Sequence, residues 1–386
     1  MRKGWEYKRF DEVFDLQMGK TPDRKNPEYF GGNNVWVSIR DLGDKEIADS
    51  NEHITDLAVS NSNIRKVKKG TVIMSFKLTV GKCGIAATDL YTNEAIMAFN
   101  TKESFDINSF FLYYYLLCYH WVGSNKAVMG ITLNKATISK QYISIPPLST
   151  QLAIVSELDK INELIRLKKE QLKDFDNLAQ SLFYEMFGDP VENEKGWEVK
   201  KLGEIGEVKT GNTPSRSNDN FYNEKFIEWI KTDNIRNEQM NPTTAAEYLS
   251  RDGAGCGRIV SKGSILVACI AGSLSSIGKC CITTKNVAFN QQINAITPYG
   301  DFCNSIYLYE LIRNSYKYIQ QNATTGMKHI LSKSIFEKMK FPLPPLPLQR
   351  LFAQRIEQIE REKSEVQKSI QDLETLLASR MQYWFE

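Results

Sequence analysis

The stretch GWEYKRFDEVFDLQMGKTPDR, residues 4–24, decides the fold, because the chain repeats it as GWEVKKLGEIGEVKTGNTPSR, residues 196–216. Trp5 returns as Trp197, and Arg24 returns as Arg216. The distance along the chain between the two copies is far longer than one unit of a solenoid. Each copy is therefore long enough to bury its own core. The sequence therefore predicts two copies of one domain.

The repeat extends beyond these openings, with one segment in which the copies differ. SFKLTV, residues 75–80, stands where the second copy has the longer ACIAGSLSSI, residues 268–277. Variable loops on a common scaffold indicate two sites of different specificity, and neutral drift of the loop is the alternative. The other matches are Trp36 with Trp229, Gly81-Lys82-Cys83 with Gly278-Lys279-Cys280, Asn93 and Ile96 with Asn290 and Ile293, and Gln151 with Gln349.

Each copy ends in a proline-rich segment followed by a long helical pattern. IPPL at 145–148 and FPLPPLPL at 341–348 suit a chain entering a helix. Apolar residues then recur at alternating steps of three and four, which is typical of a coiled-coil seam. The predicted helix–helix seam consists of Leu158, Ile161, Ile165, Leu172, Phe175, Leu182, Ile356, Ile359, Val366, Ile370, Leu373 and Leu377.

The two helical stripes carry the same register, so they can bury each other. A pseudo-twofold axis normal to the helices would make them antiparallel, and the alternative is that each helix packs on its own domain. We therefore expect an α+β protein with two homologous domains, each a mixed sheet plus helices, separated by two long antiparallel coiled-coil helices with pseudo-twofold symmetry. The expected segments are 1–148, 149–187, 191–346 and 347–385.

Composition is that of an ordinary globular protein, with 42% hydrophobic and 25% charged residues. The net charge of +3 is weak support for nucleic-acid binding. No apolar run is long enough to span a membrane, and MRKGWEYKRF lacks the apolar stretch of a signal peptide, so we expect a cytoplasmic protein. The seven scattered cysteines include no C-x-x-C pair, so we expect neither disulfides nor a zinc site.

Catalytic signatures are missing from the sequence. There is no N-P-P-Y-like loop for adenine methylation, and none of the three histidines has a spaced metal-ligand partner. GSLSSIGKC at 272–280 has one residue too many between its glycines for a phosphate-binding loop, and Cys280 replaces the required Ser or Thr. A free-standing nuclease or methyltransferase is therefore disfavoured.

The duplicated G-W-E-x-K-x-[FL]-x-E-[VI] opening, the G-x-T-P loop, N-[EQ]-[AQ]-I, and [IL]-P-P-L-x-x-Q before a long helix together resemble the specificity (HsdS) subunits of Type I restriction–modification systems. The resemblance covers essentially the whole chain. It implies two target recognition domains that each read part of a split, asymmetric DNA target. The two long helices would fix the length of the gap between these two parts. It also implies that the subunit is non-catalytic.

The same resemblance implies the partners. These are double-stranded DNA, two adenine-methyltransferase (modification) subunits and, in some systems, ATP-driven restriction (translocase) subunits. S-adenosylmethionine, ATP and Mg are expected on those partners and no cofactor in this chain. A non-DNA-binding coiled-coil scaffold that binds proteins through both domains is the alternative.

Candidate DNA contacts lie in matching polar segments of the two copies. Phosphate contacts would fall to Lys and Arg, and base reading to Arg, Asn, Gln and Thr. Gly19, Gly211 and Gly326 are expected to set loop conformation rather than to contact DNA. The candidates are Thr21, Arg24, Lys25, Lys77, Lys82, Lys126 and Asn134 in the first copy, and Thr213, Arg216, Ser273, Ser275, Lys279, Thr324, Thr325 and Lys328 in the second.

Overall fold

A computed structural model describes residues 4–121, 125–127, 130–236, 239–324, 326 and 328–386, with the backbone alone for 125–127 and 130–132. The chain divides into two compact units. Unit 1 comprises Met1–Lys168 and Ser369–Glu386, and unit 2 comprises Lys169–Lys368. Each unit takes a part of both 40-residue helices, Leu148–Phe187 and Leu346–Phe385, here called the first and second long helices. The segments expected from the sequence instead keep each helix whole.

Unit 1 is a mixed α+β domain. Its helices besides the long ones are Phe10–Val13, Asp56–Ser62, Ser109–Cys118 and Lys135–Ser139, with short 3-10 turns at Pro27–Tyr29 and Ile39–Asp41. Its strands are Glu6–Arg9, Phe14–Met18, Phe30–Val37, Glu46–Ile47, His53–Ile54, Val72–Ser75, Cys83–Ala86, Tyr91–Thr92, Ile96–Thr101, Asn125–Ala127, Gly130–Thr132 and Tyr142–Ile145.

Two sheets dominate unit 1. The larger has five strands in the order Phe14–Met18, Ile96–Thr101, Val72–Ser75, Cys83–Ala86 and Glu46–Ile47, and only its last pair is parallel. In the smaller sheet, Phe30–Val37 lies between His53–Ile54 and Tyr91–Thr92. All four residues of Val72–Ser75 are buried, as expected for a central strand without polar and apolar alternation.

Unit 2 repeats this plan. Its helices are Leu202–Ile205, Arg251–Cys256, Ser305–Asn314, Tyr316–Gln321 and Lys333–Lys338, with 3-10 turns at Asp219–Phe221, Thr232–Asn234 and Leu274–Ser276. Its strands are Glu198–Lys201, Gly206–Thr210, Ile227–Ile230, Tyr248–Leu249, Ile259–Val260, Ile265–Ala268, Ile270–Ala271, Cys280–Ile282, Val287–Phe289, Ile293–Pro298, His329–Ile330 and Lys340–Leu343.

The sheet order of unit 2 matches that of unit 1. Gly206–Thr210, Ile293–Pro298, Ile265–Ala268 and Cys280–Ile282 form an antiparallel sheet whose members correspond in order to the first four strands of the five-stranded sheet. Ile227–Ile230 pairs in parallel with Val287–Phe289, as Phe30–Val37 does with Tyr91–Thr92. The expected α+β class with two homologous domains is confirmed.

The long helices pair antiparallel within each unit and also join the domain cores. In unit 2, Asp176 accepts from Lys363 at 3.0 Å, while Phe183, further along the first long helix, packs on Phe352, which comes earlier on the second. In unit 1, Glu157 accepts from Trp384 at 3.0 Å. The sequence left open whether each long helix packs on its own domain or on the other long helix. In the structure both kinds of packing occur.

The predicted seam is buried along most of its length. Leu172, Phe175, Leu182, Leu373 and Leu377 are half-buried, whereas the other seven predicted positions are buried, namely Leu158, Ile161, Ile165, Ile356, Ile359, Val366 and Ile370. Phe183 and Phe187 lie outside the heptad register and are buried against Tyr307 of their own unit. The first long helix therefore carries a second apolar face that the seam pattern does not include.

A buried glutamine fixes the start of each long helix to its domain. In unit 1, Gln151 Oε1 accepts from the backbone N–H of Asn108 at 2.8 Å, and its amide donates to the carbonyls of Asp106 and Pro146 at 2.9 and 3.0 Å. In unit 2, Gln349 makes the matching bonds to Asn304, Phe302 and Pro344. Both glutamines are fully buried, so these polar atoms have no access to water.

The structure adds detail on an aromatic segment, on the cysteines and on the helices. The aromatic segment 304–320 reads as one helix, but the structure breaks it at Ser315, whose ψ of 17° departs from helical geometry, into Ser305–Asn314 and Tyr316–Gln321. All seven cysteines are free thiols; Cys256 is exposed, Cys118 is half-buried and the other five are buried. Among the helices that the structure describes, none is long and apolar enough to cross a membrane.

Candidate nucleic-acid interface

In unit 1, loops from four strands meet at one end of the sheets, here called the loop end of unit 1. They are residues 19–25, 38–42, 76–82 and 93–95. Backbone hydrogen bonds join them: Gly19 N–H to Ile96 at 3.2 Å, Phe76 N–H to Ala95 at 3.0 Å, and Asn93 N–H to Val37 at 3.0 Å.

The loop end of unit 2 is built from the matching loops, residues 211–217, 231–236, 269–279 and 290–292. Here Gly211 N–H donates to Ile293 at 3.0 Å, Cys269 N–H to Gln292 at 2.8 Å, and Asn290 N–H to Ile230 at 3.0 Å. The scaffold under both loop ends is therefore the same, so differences between them lie in the side chains and in the length of the variable segment.

Close backbone contact explains the glycine that opens the first loop in each unit. A Cβ on Gly19 would lie 2.2 Å from the carbonyl oxygen of Thr92, and a Cβ on Gly211 would lie 2.1 Å from that of Asn290. Both glycines therefore set loop conformation, as expected, through close approach rather than a positive φ. A Cβ on Gly326 would meet only the Lys328 carbonyl oxygen, at an ordinary contact distance of 3.8 Å, so its geometry gives no reason for a glycine.

A charged and aromatic cage holds the arginine of each first loop. The Arg24 guanidinium donates to both carboxylate oxygens of Glu52 at 2.6 and 2.9 Å and lies over the rings of Phe30 and Trp36 at 4.8 and 4.9 Å. Bidentate and cation–π contacts of this kind fix a side chain.

Unit 2 builds the same cage around Arg216. Its guanidinium donates to Glu247 at 2.5 Å and lies over Tyr222 and Trp229 at 4.5 and 4.8 Å. Lys231 also pairs with Glu247. Both predicted arginines thus have internal partners, while about half of each side chain stays exposed, 52% in both cases.

Three predicted contacts of unit 1 converge on Glu94. The Thr21 hydroxyl donates to its carboxylate. Burial raises the pKa of Glu94, but hydrogen bonds from the Thr21 hydroxyl and from the Glu94 backbone N–H, together with the positive charges of Lys77 and Arg24, outweigh burial and lower it. The tertiary structure therefore brings Thr21, Arg24 and Lys77 together.

In unit 2 the matching threonine meets a neutral side chain, since Thr213 donates to Gln291. The variable segment lies beside it, with Ser273 and Ser275 exposed and their hydroxyls 2.5 Å apart. Lys279 lines a cleft of about 440 Å³ together with Asp233, Arg236, Gln292 and other residues of the loop end. The two loop ends therefore present different chemistry.

The remaining candidates are more scattered. Asn134 caps the helix Lys135–Ser139 by accepting from Thr137 N–H at 2.8 Å, so its amide already has a structural role. Thr324 donates to the carbonyl of Ile330 at 3.1 Å. Lys25, Lys82 and Lys328 are exposed. Lys126 lies on the strand Asn125–Ala127, and its side chain, like the whole of Thr325, falls outside the described residues.

The sequence-based reading missed the acidic partners of the cages. Glu52 and Glu247 stand in matching tetrapeptides, EHIT at 52–55 and EYLS at 247–250, so aligning the copies would have found them. Thr55 and Ser250, which end these tetrapeptides, cap the helices Asp56–Ser62 and Arg251–Cys256. Among the described residues, no three His, Cys, Asp or Glu side chains are placed to hold a metal ion.

The fold thus defines a protein with two copies of one α+β domain, each with a polar loop end. The model of the Type I restriction modification DNA specificity domain matches residues 2–174 and again residues 194–375. The chain belongs to this family.

Two relatives with similar sequences are specificity subunits of Type I restriction enzymes. The chain is 30% identical over 237 residues to the Type I restriction enzyme MjaIX specificity subunit of Methanocaldococcus jannaschii, over 55% of this chain and 54% of that protein. It is 31% identical over 166 residues to the HindI specificity subunit of Haemophilus influenzae, over 42% of this chain and 35% of that protein. The chain thus spans about half the length of the first relative and about a third of the second.

Solved structures share the fold. A chain from a structure of complex assembly and conformational transition in the type I R-M system superposes with a TM-score of 0.67 at 18% identity, covering 100% of this chain and 98% of that one. The Type-I restriction-modification system S subunit from M. genitalium gives 0.54 at 14% identity, covering 98% and 95%. At these identities the likeness concerns the fold alone.

Proposed function

We propose that this chain is the sequence-specific DNA-recognition subunit of a Type I restriction–modification complex, and that each unit reads one half of a split, asymmetric target. One observation carries the proposal. The same loop end is built twice on the same backbone hydrogen bonds, but it presents Glu94 in one unit and Gln291 in the other, beside variable segments of different length. Family membership and the names of the relatives support it.

The side chains at the loop ends suit both parts of DNA binding. Exposed lysines such as Lys25 and Lys82 can contact phosphates, whereas hydroxyl and amide groups can read base edges in a groove.

In this proposal the chain does no chemistry itself and acts in the cytoplasm. Two modification subunits would bind it and methylate adenine with S-adenosylmethionine, and restriction subunits would supply any ATP- and Mg-dependent step. The absence of a catalytic motif from the sequence supports this division of labour. We also propose that the helices, continuous over Leu148–Phe187 and Leu346–Phe385, set the number of unread base pairs in the target.

Co-expression of the full chain with the modification subunits of its system, followed by mapping of methylated adenines, tests the proposal. We expect a split, asymmetric motif with an unread gap. A stable complex that produces no new methylation and whose DNA affinity stays negligible across a salt series would instead support the protein-binding scaffold.

A further inference from the structure

A short turn follows the inner strand of the smaller sheet in each unit. In unit 1 the strand Phe30–Val37 leads into the 3-10 turn Ile39–Asp41, and in unit 2 the strand Ile227–Ile230 leads into Thr232–Asn234. Both turns belong to the loop ends, because Asn93 and Asn290 donate to the last residue of the preceding strand.

The two turns are held by equivalent bonds. Asp41 accepts from Ser38 N–H at 2.7 Å and from the Asn51 backbone and side chain at 2.9 and 2.6 Å. Asn234 accepts from Lys231 N–H at 3.0 Å and donates to Thr243 at 3.1 Å. Each turn is thus anchored at its start and to a later segment, so the residue just before the anchor stands on a rigid support.

The residue just before the anchoring Asp41 or Asn234 is Arg40 in unit 1 and Asp233 in unit 2. Both side chains are exposed. Among the residues that the structure describes, neither makes a hydrogen bond or an ion pair, whereas Arg24 and Arg216 are both engaged in cages. Opposite charges at one position of a shared scaffold indicate selection for different ligands rather than a need of the fold.

The surroundings favour base edges as those ligands. Asp233 lines the cleft of about 440 Å³ with Arg236, Lys279 and Gln292, so this cleft carries anionic, cationic and amide side chains together. In the major groove, Arg donates to the O6 and N7 acceptors of guanine, and Asp accepts from the N4 amino group of cytosine. A carboxylate in a DNA site would repel phosphates, so its presence there points to base reading rather than to backbone contact.

Building on the proposed function, we infer that Arg40 and Asp233 are specificity-determining residues, with Arg40 reading a guanine in the half-site of unit 1 and Asp233 reading a cytosine in the half-site of unit 2.

Selection of bound DNA from a randomised library by the assembled complex tests this inference. Arg40→Ala should reduce the preference for guanine at one position of one half-site by between about 5- and about 150-fold, the range for one bidentate pair. Arg40→Lys keeps the charge but replaces the planar fork by a single ammonium group that can still donate to guanine, so it should retain a weaker preference while binding to unrelated DNA stays unchanged. Asp233→Asn should move the preference at one position of the other half-site from cytosine toward adenine.

The controls remove the same charges elsewhere in each unit. Lys69 precedes Val72–Ser75 and Asp301 follows Ile293–Pro298, each at the strand end remote from the loop end, so Lys69→Ala and Asp301→Asn should leave the motif intact. A wild-type motif from Arg40→Ala or from Asp233→Asn would overturn the assignment for that unit, as would a uniform loss of affinity without a change of motif. If the wild-type complex selected no motif, the proposed function itself would fail.

Discussion

The guanidinium of Arg24 donates to both oxygens of Glu52, a residue 28 positions later in the chain. Arg216 repeats the relationship with Glu247. The pair ties the G-x-T-P loop to the segment that precedes a helix, so the arginine holds this loop in place whether or not its exposed part also contacts DNA.

Replacing Arg24 with Ala should weaken DNA binding by the assembled complex several-fold, because the loop loses its anchor. Glu52→Gln should weaken binding as well, since the loop loses the other half of the ion pair, although this substitution removes a negative charge. Fluorescence anisotropy across a salt series measures both. If Glu52→Gln bound DNA as tightly as the wild type while Arg24→Ala did not, Arg24 would act by direct contact instead.

Adding a methyl group to Gly19 should disrupt the loop end of unit 1, because the Cβ would lie 2.2 Å from the Thr92 carbonyl oxygen. We expect Gly19→Ala to lower the free energy of unfolding by about 3 kcal/mol and to weaken DNA binding. Gly211→Ala should do the same in unit 2. Gly43→Ala is the matched control, since nothing lies within 4 Å of a Cβ there. Equal unfolding midpoints in urea for Gly19→Ala and Gly43→Ala would contradict the prediction.

Replacing Gln151 with Ala should loosen the first long helix from unit 1. The substitution removes the hydrogen bonds to the Asn108 N–H and to the Asp106 and Pro146 carbonyls, of which the bond to Pro146 is fully buried, at a cost of about 1–3 kcal/mol. Native-state hydrogen exchange should show faster exchange of the Asn108 amide. Gln354→Ala, at an exposed position of the second long helix, should leave that amide unchanged. If the Asn108 amide were as well protected in Gln151→Ala as in the wild type, Gln151 would not be what holds the first long helix to unit 1.

Acid should weaken the contact between the long helices in unit 1. Hydrogen bonds from Arg380, and to a smaller extent from Trp384, lower the pKa of Glu157 against the opposing effect of burial. A lowered pKa contributes stability that is present above the pKa of the unfolded chain, near 4.3 for a glutamate, and is lost as the pH falls through the folded value. The melting temperature of the wild type should therefore exceed that of Glu157→Gln at pH 7 and approach it below pH 4. A constant difference over this range would refute the assignment.

Deleting one heptad from both long helices should shorten the unread gap of the target. A heptad spans about 10.5 Å of helix, which corresponds to roughly three base pairs. Inserting one heptad in both helices should lengthen the gap by a similar amount, and long-read mapping of methylated adenines measures either change. An unchanged gap in the deletion variant would show that the length of the helices does not set the number of unread base pairs.

Much of the architecture could be predicted because it is encoded locally. The proline-rich entries and the heptad pattern depend on residues close together in sequence, and the duplicated opening is visible when two stretches of the sequence are compared. Together they predicted two α+β domains and two long helices. The break at Ser315 and the second apolar face with Phe183 could not be predicted in this way. The second apolar face depends on packing of Phe183 against residues that are distant along the chain, namely Tyr307 and Phe352.

By itself, the sequence determined that there are two copies of one domain and which polar loops correspond, because repetition is visible without coordinates. Only the tertiary structure decided how those side chains are used. It engages Arg24 with Glu52 and Thr21 with Glu94, and employs Asn134 as a helix cap, whereas the side chains of Arg40 and Asp233 form no hydrogen bond or ion pair with any residue that the structure describes. The physical reason is that hydrogen bonds and ion pairs depend on distance in space, and folding joins residues that composition and spacing do not connect.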